Sequence, residues 1–466
     1  MSKEFIDLFY LIAAVLFIFG LMGLSHPRTA VRGNFLGALG MLLAIVVTLL
    51  DRRIISFEVI IAGIVVGALV GAVMAYRSPM TAVPQVVAIF NGFGGGASAL
   101  AVGAAYEEAL GGHFIEAIDL QFSLAAVISA LIGGVSFTGS AIAFFKLQGI
   151  MKGKPILFPG RHVINILLLL ISIALSVWLV IDPSISMPFW ILVGVASLLG
   201  ILLVIPIGGA DMPVVISLLN AYSGLAAAGH GWVLNNSVLI IAGSLVGAAG
   251  FILTALMCKA MNRSLMNVIF AGVGAVSATE EEKDDIYAGK VKSASPEEVA
   301  MVLEGARRVV IAPGYGMAVS QAQYAVQDLS NLLESKGVEV EFAIHPVAGR
   351  MPGHMNVLLA EANIPYEKLK DMDEINPTFR QTDVVLVIGA NDVVNPLARD
   401  GDPSIPISGM PILNVDEAQT VVVIKRSLSP GFAGIANPLF AADNCLMLFG
   451  DAKKVATELT AALKDT

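Results

Sequence analysis

A glycine turn between an apolar run and a helix-forming stretch contains the residues of this chain best suited to chemistry. Residues 309–323 are VVIAPGYGMAVSQAQ, and after Pro313 the turn consists of Gly314, Tyr315, Gly316, Met317, Ala318 and Val319. In a strand, turn and helix of this kind, backbone N–H groups and the helix dipole face the same anion. Two glycines of the dinucleotide fingerprint are present and Val319 replaces the third. The turn therefore predicts a nucleotide site, although alone it is a weak signal.

Residues at the ends of two other predicted strands favour NADP over NAD. A fold that selects NAD usually has an acidic residue after its second strand, where it binds the ribose 2′-hydroxyl. This chain has His345 there. A 2′-phosphate needs fixed cations, and Lys425, Arg426 and Ser427 supply two charges and a hydroxyl at the end of a later strand. The alternative interpretation of this pair is a solvated basic strand end.

Alternating strands and helices would bring these residues to one edge of a sheet. A capping box of Ser295 and Glu298, with Pro296 at N1, predicts a helix to about Gly305. Further helices are predicted to about residue 334 and over 355–362, and strands over 308–312, 338–345, 384–389, 412–415 and 421–425. The pattern predicts a Rossmann-like α/β domain with a mostly parallel, doubly wound sheet. Its carboxyl edge would carry the polar, glycine-rich segments 314–317, 345–356, 389–395, 425–427 and 431–437.

The composition of the first 260 residues is that of a membrane protein. The chain has 466 residues, of which 56% are hydrophobic and 14% charged, and its mean hydropathy is +0.80. A spanning helix needs about 20 mostly apolar residues. Nine spans are predicted, at roughly 5–25, 35–50, 54–76, 83–106, 121–145, 162–181, 188–207, 212–233 and 237–258. The net charge of −9 argues against nucleic-acid binding.

The basic residues of the short loops orient these spans. With the N-terminus outside, nine lysines and arginines lie in inner loops and three in outer loops. The inner residues are Arg28, Arg32, Arg77, Lys146, Lys152, Lys154, Arg161, Lys259 and Arg263, and the outer residues are Lys3, Arg52 and Arg53. The C-terminal domain is therefore expected in the cytoplasm. A charged stretch over 277–295 predicts a solvated linker before it.

Three polar residues inside or beside the spans are candidates for proton movement, because polar groups in a bilayer are costly. They are Asn91 in the fourth span, and Asp211 and Asn220 at the start of and within the eighth. Asp211 also fits a plain helix N-cap, and both roles can hold at once. Glycine-rich faces in the fourth and ninth spans predict close helix packing.

Long motifs over nearly the whole chain resemble the beta subunit of proton-translocating NAD(P) transhydrogenase. They are IGGADMPVVISLLNAYSG at 207–224, MCKAMNRS at 257–264, PGYGMAVSQAQY at 313–324, HPVAGRMPGHMNVLLAEA at 345–362, TDVVLVIGANDVVNP at 382–396 and FGDAK at 449–453. The resemblance implies a transmembrane proton-channel domain at 1–264, a linker at 265–295 and an NADP(H)-binding domain at 296–466. It also implies a multi-pass protein of the bacterial inner membrane.

The activity implied by the resemblance is Si/re-specific hydride transfer from NADH to NADP⁺, driven by protons moving inward. NAD(H) would bind to a partner alpha subunit, which also brings further membrane helices, and the alpha–beta unit would form a dimer. No metal and no acid, base or nucleophile is expected, because the cofactors carry the chemistry.

The resemblance also assigns residues. Positions 314–319 would line the pyrophosphate, and other nucleotide contacts would come from Ala348, Gly349, Arg350, Gly389, Ala390, Asn391, Asp392 and Asp451. Lys425, Arg426 and Ser427 would hold the 2′-phosphate, and Asp392 would respond to protonation. A lid would begin at Gly431, although Phe432 stands where relatives have tyrosine. Asp211 and Asn220 match the channel positions of the family, whereas Asn91 replaces a histidine that some members use as a proton relay.

Two functions of other classes remain open on the residues alone. One is a channel or transporter with a nucleotide-sensing domain, although the chain has no TVGYG-type filter. The other is a membrane anchor for a soluble dehydrogenase, for which polar residues in the spans would be an unnecessary cost.

Overall fold

The described part of the chain forms two compact units in a computed structural model. Description covers residues 3–24, 27–50, 57–79, 82–111, 118–152, 155–209, 211–261, 264–269, 287, 289–351, 353–399, 405, 407–431 and 433–465. One unit consists of Met1–Gly208 and Val214–Thr254, and the other of Gly209–Pro213 and Ala255–Thr466. Phe432 and most of the predicted linker lie outside the described residues.

The first unit is built from membrane-length helices. Among the described residues, nine helices are long and apolar enough to cross a membrane, which confirms the prediction of nine spans. They are α1 (Lys3–Leu24), α2 (Pro27–Leu49), α3 (Glu58–Arg77), α4 (Val83–Leu110), α5 (Leu120–Leu147), α6 (Arg161–Ile181), α7 (Met187–Val204), α8 (Met212–Val233) and α9 (Ser237–Ala260). The second helix begins earlier than predicted, because Pro27 starts it and its first turns carry Arg28 and Arg32.

Glycines allow several of these helices to touch through their backbones. A Cβ at Gly224 of α8 would lie 2.5 Å from the Gly247 nitrogen of α9, and a Cβ at Gly243 of α9 would lie 2.5 Å from the Ala228 nitrogen of α8. Between α4 and α5, a Cβ at Gly133 would lie 2.7 Å from the Gly95 oxygen. The small-residue faces therefore pack helix against helix, as the sequence predicted.

The second unit contains a six-stranded sheet in which every neighbouring pair is parallel. Its elements are α10 (Leu265–Ile269), α11 (Pro296–Glu304), β1 (Arg308–Pro313), α12 (Tyr315–Val319), α13 (Gln323–Ser335), β2 (Glu339–Ile344), α14 (His354–Glu361), β3 (Leu369–Asp371), α15 (Met372–Ile375), β4 (Val384–Ile388), β5 (Thr420–Lys425), β6 (Cys445–Phe449) and α16 (Ala452–Asp465). The order β3-β2-β1-β4-β5-β6 is that of a dinucleotide-binding fold. It reverses direction between β1 and β4, where such folds bind ligands.

The strand predicted over 412–415 is absent, which corrects that part of the prediction. The apolar residues are buried, but the Leu413 N–H donates to the Val393 oxygen and the Asn414 N–H to the Asn376 side chain. Loops satisfy these donors, so the segment stays outside the sheet. Two edge strands, β3 and β6, were not predicted, and β3 has only three residues.

Helices α11, α13 and α16 cover one face of the sheet. Leu329 and Leu333 of α13 and Leu459 of α16 are fully buried against the strands. The predicted capping box starts α11: the Glu298 N–H donates to Ser295 Oγ and the Ser295 N–H to the Glu298 carboxylate. This apolar core fixes the strand ends that carry the polar turns.

Substituting Gly243 by Ala tests the close packing of α8 and α9. The added methyl group meets backbone atoms at 2.5 Å, so we expect a loss of about 1–3 kcal/mol in unfolding free energy from overpacking. Gly194→Ala in α7 is the matched control, because nothing lies within 4 Å of a Cβ there and alanine favours helix by about 1 kcal/mol. Thermal unfolding in detergent compares the two. Equal melting temperatures would contradict the packing.

Candidate functional site

Two backbone turns, after β1 and after β4, bind each other at the reversal point of the sheet. The Gly314 N–H donates to the Ile388 oxygen at 2.8 Å, and the Gly316 N–H donates to the Gly389 oxygen at 2.9 Å. A Cβ at Gly314 would lie 2.4 Å from the Ala390 Cα, and Gly389 has a φ of +70°. Glycine is thus required at these positions by contact between the turns.

The predicted residues of the β1 turn separate into two groups. Gly314, Tyr315 and Gly316 line the cleft described below. Met317 and Ala318, on the inner face of α12, have side chains that are fully buried in the core. Val319, at the end of α12, is exposed and does not line the cleft.

His345 is buried away from the turn region and is held neutral. Its Nε2–H donates to the Pro411 oxygen at 2.8 Å, and its Nδ1 accepts from the Val347 N–H at 3.2 Å. Burial lowers the pKa of His345 to about 4. The residue that follows β2 therefore joins two loops and offers neither charge nor a free polar atom to a ribose.

The loop after His345 places a guanidinium over an aromatic ring of the glycine turn. The Arg350 guanidinium carbon lies 4.4 Å from the centre of the Tyr315 ring. The Arg350 backbone N–H donates to His354 Nδ1 at 3.0 Å. Burial, and to a smaller degree the Arg350 charge, lower the pKa of His354 to about 4. A neutral His354 thus holds the loop in which Ala348, Gly349 and Arg350 lie.

Lys425, at the end of β5, is the half-buried cation of the site. Its Nζ donates to the Ser429 oxygen and lies 5.0 Å from the centre of the Phe440 ring. With the Asn391 amide oxygen turned toward it, Nζ also donates to that oxygen at 2.9 Å, and the Gly431 N–H donates to the same oxygen at 2.7 Å. Burial lowers the pKa of Lys425 to about 8, and the Asp392 carboxylate opposes that shift.

Asp392 is a buried acid beside this lysine, with 2% of its surface exposed. Its Oδ2 accepts from the Ala433 N–H at 3.1 Å. A Cβ at Gly431 would lie 2.2 Å from the same oxygen, so only glycine lets the chain pass so close. The segment 431–437 is therefore placed directly against the Asp392 carboxylate.

These residues surround two adjoining clefts of about 200 and about 380 Å³. Gly316, Gly389, Lys425, Arg426 and Pro430 line both clefts. The predicted residues that line one or both are Gly314, Tyr315, Gly316, Ala348, Gly349, Arg350, Gly389, Ala390, Asn391, Asp392, Lys425, Arg426, Ser427, Gly431 and Asp451.

Among the lining residues that were not predicted are Ser320, Ser429 and Pro430. Ser429 and Pro430 lie between two predicted segments, 425–427 and 431–437, and that adjacency was the available signal. Asp451 is placed here because α16 starts at this edge. Its Oδ1 accepts from the Lys453 N–H at 3.1 Å.

In the membrane unit, Asn91 belongs to a hydrogen-bonded polar cluster between α4, α5 and α8. Its Nδ2 donates to Ser140 Oγ at 2.9 Å and approaches Ser136 Oγ at 3.4 Å. Ser223 Oγ donates to the Asn91 backbone oxygen at 3.1 Å and lies 2.5 Å from Ser136 Oγ. Asn220 lies one turn before Ser223 on α8 and is half-buried. Asp211 directly precedes α8 and is 5% exposed.

Membrane-length helices joined to a dinucleotide-type sheet, with a basic cleft at its reversal point, define a membrane protein with a nucleotide-binding domain. A family profile described as NAD(P) transhydrogenase beta subunit matches residues 6–462. Two relatives named NAD(P) transhydrogenase subunit beta, from Rhodospirillum rubrum and a designated strain of it, are each 48% identical over 97% of this chain and 98% of their own. The chain belongs to the NAD(P) transhydrogenase beta subunit family. Membership implies an oxidoreductase that uses NADP(H) and works with an alpha subunit.

The two buried histidines predict an acid-sensitive fold. Their pKa values of about 4 lie below the ordinary 6.5, so between these pH values the unfolded chain binds more protons than the folded one. Stability should therefore fall as the pH drops from 6.5 to 4. His345→Gln should reduce that slope. Calorimetric unfolding in detergent at several pH values measures it, and a variant with the wild-type slope would contradict the assignment.

Proposed function

We propose that this chain binds NADP(H) in the cleft between the β1, β4 and β5 ends. There it exchanges a hydride with NAD(H) held by the alpha subunit, and the exchange is coupled to inward proton movement through the membrane unit. The observation that carries the proposal is the half-buried Lys425 between Asn391 and Asp392 at the reversal point of the sheet. Burial of this cation is costly even with the Asp392 carboxylate nearby, and a bound phosphate would offset that cost.

The shape and charge of the cleft fit a dinucleotide with an extra phosphate. Lys425, Arg426 and Ser427 would hold the 2′-phosphate through charge-assisted hydrogen bonds. Of the turn over 314–319, Gly314, Tyr315 and Gly316 would face the pyrophosphate. Further contacts would come from the Ala348–Arg350 and Gly389–Asp392 turns and from Asp451. The volumes of about 200 and about 380 Å³ suit a ligand that lies along a groove, since ligand sites commonly measure roughly 300–1,000 Å³.

When bound, the nicotinamide supplies the hydride chemistry. The residues of this chain would position the nucleotide and exclude water from it. Lys425 fixes an anion while the Asn391 amide oxygen holds its Nζ in place. The segment 431–437 is the proposed lid. The Asp392 carboxylate accepts from the Ala433 N–H of this segment, so the charge of Asp392 would control how strongly the closed lid is bound. A lid that releases one oxidation state more readily than the other provides the differential binding that coupling requires.

The membrane unit would carry protons along its polar side chains. Asn91 cannot ionise, so in this path it would act through hydrogen bonds with Ser136, Ser140 and Ser223. Asp211 is the ionisable member of the proposed set, and Asn220 lies between it and the serine cluster along the chain. Protonation at Asp211 would then alter NADP(H) affinity through the linker.

The helices and loops support a proposed placement of the chain in its assembly. We assign the membrane domain to 1–264, the linker to 265–295 and the NADP(H) domain to 296–466, on the cytoplasmic side of a bacterial inner membrane. Helix α3 buries none of its residues against the described chain, and Gly63, Gly67 and Gly71 have no atom within 4 Å of a Cβ. Glycines four residues apart form the face with which membrane helices pack. This supports further helices from the alpha subunit, in a dimer of the alpha–beta unit.

A vesicle assay with Asp211→Asn tests the coupling. The chain is co-expressed with an alpha subunit, and reduction of an NAD analogue by NADPH is followed in sealed vesicles together with internal pH. Wild type should show both signals, and Asp211→Asn should lose at least tenfold in proton movement while single-turnover hydride transfer persists. Asp182→Asn, at an exposed carboxylate beyond α6, is the control.

Each result of that assay separates the alternatives. Reduction without a pH change in wild type would exclude a pump. No reduction with any partner would favour the nucleotide-sensing channel, and equal proton movement in Asp211→Asn and wild type would remove Asp211 from the coupling.

The pKa of Lys425 gives the NADP⁺ affinity a pH dependence. Because this pKa is about 8 in the folded chain rather than 10.5, the lysine loses its charge as the pH rises above 8. The affinity should fall over the same range. Lys425→Arg should bind with little change up to pH 10, since arginine stays charged. Lys425→Gln should bind roughly 10–100-fold more weakly than wild type at pH 7, the cost of a charged hydrogen bond. Its affinity should not depend on pH, so the difference from wild type should shrink as the pH rises above 8.

Calorimetric titration with NADP⁺ and NAD⁺ measures these affinities. The pH effect should be small for NAD⁺, which lacks the 2′-phosphate. A wild-type affinity for NADP⁺ that is flat from pH 7 to 10 would contradict the placement of Lys425 at the phosphate.

A further inference from the structure

Tyr287 precedes the sheet in sequence and contacts two residues of the segment that packs beside the cleft, Asn437 and Phe440. Tyr287 lies in sequence between α10 and α11. Its hydroxyl accepts from the Asn437 N–H at 2.8 Å, across 150 residues of sequence. Its ring stacks on Phe440, with ring centres 6.4 Å apart and planes at 18°.

Both contacts of Tyr287 lead to the cleft. Asn437 is fully buried, and its Nδ2 donates to the Asn391 backbone oxygen at 3.1 Å. Phe440 is fully buried under the Lys425 ammonium, 5.0 Å from its ring centre. Tyr287 thus supports the end of the segment 431–437 on one side and the ring beneath the lysine on the other.

The chain after Tyr287 is fixed to the sheet. The Ala294 N–H donates to the Met447 oxygen at 3.0 Å, and the Met447 N–H donates to the Lys292 oxygen at 2.7 Å, beside β6. Lys292 Nζ also donates to the Asp443 oxygen at 2.6 Å. The stretch five to seven residues after Tyr287 is thus bonded to the sheet edge and not to the segment 431–437, so lifting of that segment would strain the hydrogen bond from Asn437 to Tyr287.

We propose that Tyr287 is a positioning residue that latches the 431–437 segment over bound NADP(H) and thereby sets the rate at which the nucleotide leaves. This inference rests on the proposed function of the cleft. The hydroxyl acts selectively on the closed state. With the segment closed, Asn437 is buried, and among the described residues the Tyr287 hydroxyl accepts its N–H. With the segment open, water can reach that N–H. Removing the hydroxyl therefore penalises the closed state alone.

Tyr287→Phe and Tyr287→Leu, in the full chain assembled with its alpha subunit in membranes, test the latch. Tyr287→Phe keeps the stacking on Phe440 and removes the hydroxyl, and we expect NADPH release to become about tenfold faster. Tyr287→Leu removes both contacts and should release at least as fast. The KM for NADP(H) should rise while single-turnover hydride transfer at saturating nucleotide is unchanged. Tyr366→Phe, at a tyrosine that is 41% exposed, is the matched control.

Amide hydrogen exchange distinguishes a latch from a general loss of structure. In Tyr287→Phe the amides of 433–441 should exchange faster while those of β1 and β4 keep their wild-type rates. Wild-type release rates in both variants, or unchanged exchange over 433–441, would overturn the proposal.

The wild-type protein provides a test that needs no variant. NADPH should slow exchange in the peptide that contains Tyr287 together with 433–441, and protection of 433–441 alone would overturn the latch. A wild-type protein that binds no NADPH would instead refute the proposed function, and the Asn437 amide of the nucleotide-free protein would then still report on the contact. Slow exchange at that amide in wild type and fast exchange in Tyr287→Phe support the contact, and equal rates refute it.

Discussion

Direct hydrogen bonding between the turns after β1 and β4 is the constraint on which the nucleotide cleft depends. The Gly314 and Gly316 N–H groups bond to the other strand's end and turn, and a side chain at either glycine would enter that backbone. Because the two turns are joined, the Asn391 and Asp392 side chains have a fixed position relative to the β1 turn. The edge of the sheet thus becomes a platform in which the two turns hold each other in place.

At this edge of the sheet, the positive charge of Lys425 is partly removed from water, which costs free energy. Lys425 is half-buried, and its pKa of about 8 shows that its charge is poorly solvated despite Asp392 nearby. The Asn391 oxygen, the Ser429 oxygen and the Phe440 ring hold the ammonium in one place. A cation fixed in this way gains more from a phosphate than a solvated surface lysine does, because part of its hydration has already been removed.

Hydrophobic patterning was sufficient to predict the large elements. The nine apolar stretches are recognisable by their length and composition, and β1, β2, β4 and β5 by short runs of largely buried apolar residues. The pattern failed at the 412–415 run, where burial occurs in a loop, and at β3, whose three residues include Lys370 and Asp371. Whether a short apolar run joins a sheet depends on where its backbone donors find partners, and those partners lie far away in sequence.

The same distinction applies to the site. The glycines, cations and acids of the site could be predicted because they directly follow strands that the sequence pattern identifies. Contacts such as those of Tyr287 with Asn437, or of His345 with Pro411, depend on the folded path of distant segments. Asn91 shows the consequence for mechanism. An amide in place of an ionisable relay can only pass protons along hydrogen bonds, and its serine partners on α5 and α8 provide such bonds. A proton-dependent event in the proposed mechanism must then begin at a group that does ionise, which is the role that we propose for Asp211.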